Sequence, residues 1–366
     1  MKVFPIYLFL FVCTYAVTFS LELKPLKTFY GAGAPKSVVV SPDGKLAAVM
    51  NLEGLNFWVI DTQKLIIREK VQFKGTKAMG WDYKNKRPFP SLAEKPVECD
   101  FTENGKYLWV SFHNGASVVR YDTSGNNSNC IDKMNATSIQ KAFVSDYVNN
   151  INYSIELPKI KVGKTPKVIK ATPDGRYVLV ANWHSSSVSI IDTATLVNVK
   201  DVKLGGKYNY IPRGIAVSAD SKTAYVANMG GGTISIIDLE EMKVVRDIAV
   251  SPNPRHIVLS KDQKYLYISE NARGEVLKFN IETGKVEKRV SVGSQARTID
   301  LTPDEKYIFV AVHYSSKLSV IDSETFKVVK SVDFERPMGV SVSPDGKQLW
   351  VTSYQGGYVR VYEIIE

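Results

Sequence analysis

Short apolar runs rich in Val, Ile, Tyr and Ala recur along the chain, and turn signals cut them off at fixed offsets. Residues 166–204, PKVIKATPDGRYVLVANWHSSSVSIIDTATLVNVKDVKL, carry the pattern most cleanly. Pro173-Asp174-Gly175 stops one run, Asn182 to Ser187 breaks a second, and Asp192-Thr193 closes a third. Runs of this length and composition predict β-strands. Four strands in about 40 residues is the period of a propeller blade. The expected class is therefore all-β.

Aligning on the Asp-Gly turn finds seven copies, at Asp43, Asn104, Asp174, Asp220, Asp262, Asp304 and Asp345. The last four intervals are 46, 42, 42 and 41 residues, while the first two are 61 and 70, so two insertions sit early in the chain. A matching residue ends the third strand of each copy: Asp61, Asp122, Asp192, Asp238, Asn280, Asp322 and, more loosely, Glu363. The last copy stops after three strands. Residues 22–30, ELKPLKTFY, resemble the fourth strands, so the N-terminal strand is expected to complete the last blade. The expectation is a seven-bladed β-propeller whose ring is closed by that strand, burying Leu23, Leu26 and Phe29. An open ring would leave sheet edges exposed.

In this register one face of the ring, the top, carries the fourth-to-first and second-to-third connections. Insertion one, residues 75–95, falls on top and contains Trp81, Tyr83, Lys84, Lys86, Arg87 and Phe89. Insertion two, residues 123–153, is Asn-rich and falls on the bottom between strands three and four of blade 2. It holds glycosylation triplets at Asn126, Asn135 and Asn152, which matter only in a glycosylating pathway.

Composition adds a compartment. Residues 1–20, MKVFPIYLFLFVCTYAVTFS, place a Lys before an apolar run and end in small or polar residues, as a secretory signal peptide does. The expectation is export to a periplasm, a cell surface or the medium, with residues 21–366 as a single domain and no membrane span once the leader is removed. The whole chain carries a net charge of +10, which favours anionic partners. Cys99 and Cys130 remain after residue 20, and a disulfide between them is permitted outside the cytosol. Cys99, however, falls at a core position of a strand.

The segments YVLVANWHSSSVSIID and AYVANMGGGTISIID resemble the YVTN-type β-propeller repeat, with its Tyr-Val-x-Asn second strand and Val-Ser-x-Ile-Asp third. Blade 1 (LAAVMN) and blade 6 (IFVAVH) depart from it at the Tyr or the Asn. The resemblance covers nearly the whole chain after residue 20. It implies a seven-bladed, exported propeller similar to periplasmic YncE-like proteins. Related propellers include haem d1 domains, lactonases and lyases, so the repeat specifies a fold and not a reaction.

Candidate chemistry sits on the top face. The residues entering the first strands are Lys36, Val97, Lys167, Arg213, Arg255, Arg297 and Met338, with Arg336 close by. A basic ring round a cleft focuses positive potential, and Arg grips carboxylate or phosphate with two bonds. The opposing reading is that each cation cements neighbouring blades through carbonyls or acids. The second-to-third loops bring His113, Trp183, His184, His313 and Tyr354 to the same face. Asp100, Lys170 and Asp300 face the channel, the first two at equal positions in adjacent blades. No metal-ligand spacing, nucleophile elbow or phosphate loop is present, and His113 and His313 stand across the ring from one another. No catalytic residue, metal ligand or cofactor is therefore assigned, with haem and metal left open. The expected function is a monomeric binding or scaffold propeller whose funnel engages an anionic polymer (nucleic acid or acidic glycan) or a protein partner. The rival is an enzyme or redox domain on the same face.

Overall fold

The computed structural model describes residues 21–82, 85–125, 138–205 and 210–366. The leader read at residues 1–20, Tyr83, Lys84, Cys130 and the triplets at Asn126 and Asn135 lie outside the described residues.

The chain is all-β and its ladders are antiparallel. Strands Pro166–Ala171, Tyr177–Asn182, Ser187–Asp192 and Val197–Lys203 form one four-stranded sheet in chain order. The next three sheets repeat it, their first strands being Pro212–Val217, Pro254–Leu259 and Ala296–Leu301. Each first strand lies against the first strands of its two neighbours. Pro35–Val40 touches both Pro96–Thr102 and Pro337–Val342, so the circuit closes. The apolar faces pack between adjacent sheets, which gives a series of separate cores.

The closing strand is where the sequence placed it. Glu22–Tyr30 pairs antiparallel with Tyr358–Ile365, and Gln348–Ser353 and Pro337–Val342 complete that sheet. Leu23 and Phe29 are buried, the Phe29 ring stacked on Trp350 at 6.1 Å. Leu26 is not buried: it is 39% exposed. The ladder shifts register between Pro25 and Lys27, and the bulge turns Leu26 out of the alternation that was counted through it.

Insertion two also departs from expectation. Its latter part is not a bottom-face loop. Ser138–Asp146 pairs with Ile66–Phe73 on one side and Ile151–Lys161 on the other, sewing the first two repeat units into one nine-stranded sheet. Gln140, Ala142, Val144 and Asp146 alternate inward along it. Across this seam the Tyr121 hydroxyl donates to Glu69 Oε2 at 2.8 Å. Cys99 is a buried free thiol in the same core. Insertion one forms a hairpin, Lys77–Asp82 with Arg87–Leu92.

Candidate functional site

Six of the first strands begin with Pro, which has no N–H to leave unpaired at a strand start. In these six and in Ala296–Leu301 the ladder then slips register just after that first residue. A bulge at a barrel rim re-aims the side chain it carries. Here the re-aimed residue is the cation, so the irregularity repeated round the ring brings Lys36, Lys167, Arg213, Arg255 and Arg297 together. Their field is felt at Lys36, where Arg213, Arg255, Arg297 and Lys167 all act on the ammonium.

Three of these cations are buried, and Lys36 and Arg297 are half-buried. Lys167 is 5% exposed, Arg213 3% and Arg255 4%. Among the described residues one carboxylate answers them: Arg213 Nη2 donates to Glu98 Oε1 at 2.8 Å. The remaining partners are neutral. Lys36 Nζ reaches Met338 Sδ at 3.2 Å and lies 5.5 Å from the centre of the Tyr354 ring. Arg255 Nη1 reaches Met229 Sδ at 3.7 Å. Lys167 Nζ stands 4.2 Å over the Trp183 ring, with Arg213 on that ring at 5.6 Å. Arg297 bonds the side-chain oxygen of Gln295. Arg213 Nε and Nη1 and Arg297 Nε have no hydrogen-bond partner among the described residues.

Burial and then mutual repulsion push the Lys36, Lys167 and Arg255 side chains well below their ordinary values, and Arg297 down to about 10. The imidazoles follow, desolvation first and the neighbouring cations second. His313 falls to about 4, His256 to about 3, and His113 drops well below the usual range. His313 Nδ1 lies 3.1 Å from the Pro337 carbonyl oxygen. Carrying charge costs each of these groups free energy here, and a neighbouring anion offsets that cost.

Two predicted members stand apart. Arg336 lies over the exposed Tyr314 ring at 5.2 Å instead of joining the cations. His184 turns toward the hairpin, its ring 6.1 Å from Trp81 and its Nδ1 2.7 Å from Thr165 Oγ1. Below the mouth the first strands enclose a channel of about 400 Å³. Lys170 pairs with Asp100 there at 3.2 Å, as expected from their equal positions. Asp100 and Asp300 each accept a backbone N–H from a neighbouring first strand, from Ala171 at 2.9 Å and Val342 at 2.8 Å. Burial pushes Asp300 up to about 6. Two further acids near the second-to-third loops are engaged elsewhere: Glu53 pairs with Lys95 at 2.6 Å, and Glu270 accepts the Ala272 and Arg273 amides. Among the described residues no group of His, Cys, Asp and Glu is arranged to hold a metal ion. Glu98, the sole acid paired with the cluster among the described residues, was missed. It occupies the third place of a first strand, and nothing local marks it as facing Arg213.

Residues 142–266 match the family model described as a YNCE-like beta-propeller. That stretch is similar to YncE-like β-propellers. Residues 238–364 of this propeller also match a model described as a domain of unknown function, DUF5074. Its fold is similar to a solved structure of Kuenenia stuttgartiensis hydrazine synthase, with a TM-score of 0.69 at 20% identity. That likeness covers 91% of this chain and 96% of the other, and it shows the fold alone. No curated protein sequence matches. No helix among the described residues is long and apolar enough to cross a membrane.

Proposed function

We propose that this propeller is an exported, seven-bladed binding protein whose top-face mouth receives a compact anionic group. One observation carries the reading: five converging cations share a single carboxylate, Glu98, and otherwise rest on sulfur, ring faces and an amide oxygen. Burying charge without a counter-charge costs several kcal/mol on the order of each ion. A purely cementing role would be served at lower cost by acids or carbonyls beside each cation. The free faces of Arg213 and Arg297 suit the oxygens of phosphate or carboxylate, held by charge-assisted bonds.

The depth of the cations narrows the ligand. Side chains this buried meet a terminal or small anionic group more readily than the backbone of a polymer lying across the face. An acidic glycan end, a nucleic acid terminus or an acidic group on a partner protein fits the same chemistry. The test is calorimetric titration with inorganic pyrophosphate at rising salt. Binding should weaken steeply as salt screens the site, and an Arg213/Arg255/Arg297 triple-Ala variant should lose it. Unchanged affinity in that variant overturns the reading. An absorption spectrum and metal analysis of the purified protein test the rival enzymatic or haem-bearing role.

A further inference from the structure

Beside the mouth, hairpin Lys77–Leu92 leans over the second repeat unit and leaves a cleft of about 470 Å³, a size that suits a single small ligand. The hairpin is fastened at its base. Buried Glu94 accepts the Thr76 amide at 2.7 Å and the Thr76 hydroxyl at 2.9 Å, and Asn114 Nδ2 donates to the Leu92 carbonyl at 3.0 Å. Phe89 packs across buried Gly80, where an added Cβ would meet the ring at 2.8 Å, so this wall is held in place. The cleft is lined by Met79, Trp81 and Pro88 from the hairpin and by His113 and His184 from the repeat units. Trp81 and His184 meet edge to face, which leaves ring faces and edges as the lining.

His113 belongs to both places. It lines the cleft, and the charges of Lys167, Lys36 and Arg213 act on its ring. Its Nδ1 is buried and has no hydrogen-bond partner among the described residues. Burial keeps this imidazole neutral near pH 7, so it can exchange one hydrogen bond with a polar ligand atom. His113 therefore stands between the cation cluster and the ring-lined cleft, the two halves of a bipartite site.

We infer that the ligand is a small aryl or heteroaryl phosphate, its phosphate in the cationic mouth and its planar ring against Trp81 in the hairpin cleft. This rests on the anion reading of the mouth and extends it to the other half of the ligand. Phosphate is favoured over a lone carboxylate because it offers three terminal oxygens and a second charge to several cations at once. The hairpin half supplies selectivity by contact with a ring.

The probes are methyl phosphate and 2-naphthyl phosphate, titrated calorimetrically at low salt into the protein. The aryl ester should bind about tenfold more tightly, the increment that aromatic contact typically contributes. Trp81→Ala should bring the two esters within about twofold while leaving methyl phosphate affinity unchanged, and Trp81→Phe should restore most of the preference. Trp81 is part-exposed on the hairpin, so the melting temperature should stay level and serves as the check on folding. Equal affinity for the two esters in the parent protein, or a preference that survives Trp81→Ala, overturns the bipartite site and leaves the anion mouth standing. Failure of methyl phosphate and naphthyl phosphate alike to bind overturns both.

Discussion

The two ends of the ring are built from the same strands and treat their polar groups in opposite ways. At the bottom, the Ser or Thr two residues before each turn Asp donates to that Asp at 2.5–2.6 Å in six of the units. The same carboxylate accepts the amide two residues on at 3.0–3.1 Å. Each turn closes its own account locally. At the top, cations from five strands are drawn inward with one carboxylate among them. Repetition at the bottom produces satisfied groups, and repetition at the top produces unsatisfied ones. The first is what a fold needs. The second is what a ligand needs.

Opening the ring is the largest perturbation and should damage both ends together. Deleting residues 22–30 removes a full ladder and the burial of Leu23 and Phe29, each worth about 1.5–3 kcal/mol. It also loosens the seam where Lys36 meets Met338. Size-exclusion chromatography should show aggregation, and pyrophosphate binding should disappear. A truncated protein that melts like its parent would show that the strand does not close the ring.

Substitutions confined to one end should separate the two. The Arg213/Arg255/Arg297 triple-Ala variant should lose at least about a hundredfold in pyrophosphate affinity, two or more charge-assisted bonds being removed. Its melting temperature without ligand should hold level or rise, because repulsion among buried cations is relieved. Thr302→Ala should do the reverse. The buried Thr302 hydroxyl donates to Asp304 at 2.5 Å and accepts the Tyr307 amide at 3.1 Å, and its loss should cost about 1–2 kcal/mol. Anion affinity should not move. A triple variant that unfolds would return the cations to a structural role.

What could be read from the chain divides along the same line. Asp-Gly spacing and strand composition are local properties, so the turns, the strand order and the closing strand were all visible. The cationic positions were visible too, because register alone places Lys167 and Arg213 at the same point of successive strands. Glu98 was not, since its partner lies 115 residues away and its own unit has Val97 where others have a cation. Ser138–Asp146 was hidden by its Asn-rich surroundings, although its alternation is regular once its edges are known. Leu26 was misplaced because a bulge breaks the count of two.

Acid should act on the two ends in different windows. At the top, His313 and His256 have folded values of about 4 and about 3 against an ordinary 6.5. The unfolded chain therefore takes up these protons first, and stability falls as pH drops below 6.5 toward 4. Asp300 opposes this, because its folded value of about 6 lies above the ordinary 3.8, so the folded form binds that proton first. One such carboxyl against His256, His313 and the likewise depressed His113 leaves a net loss. At the bottom, Asp262 is held below 3.8, chiefly by the Ser260 hydroxyl and the Lys264 amide. Its contribution is present above 3.8 and disappears only at lower pH. Melting temperature against pH should therefore fall in two stages, and a His256→Gln/His313→Gln variant should flatten only the upper one. A single stage below pH 4 would mean the mouth's imidazoles are not depressed.

The smallest effect is expected where the bottom turns give up a glycine. Gly44, Gly175 and Gly346 follow their turn Asp with φ of 72°, 73° and 74°, but Gln263 holds the equivalent place at 59°. A left-handed non-glycine residue costs roughly 1–2 kcal/mol. Gln263 spends that strain on a bond to the neighbouring turn: its Oε1 accepts the Ala219 amide at 2.9 Å. Ser221 does likewise for the Asp174 amide at 3.0 Å, and Glu305 for the Lys261 amide at 2.6 Å. Gln263→Gly relieves the strain and deletes a bond worth about 1 kcal/mol, so denaturant titration should find less than about 1 kcal/mol of change. Pyrophosphate affinity should be unaltered. A loss above 2 kcal/mol would show that turn-to-turn bonds hold the lower ring together, and that the bottom is less self-sufficient turn by turn than its repeated hydroxyl–carboxylate pairs imply.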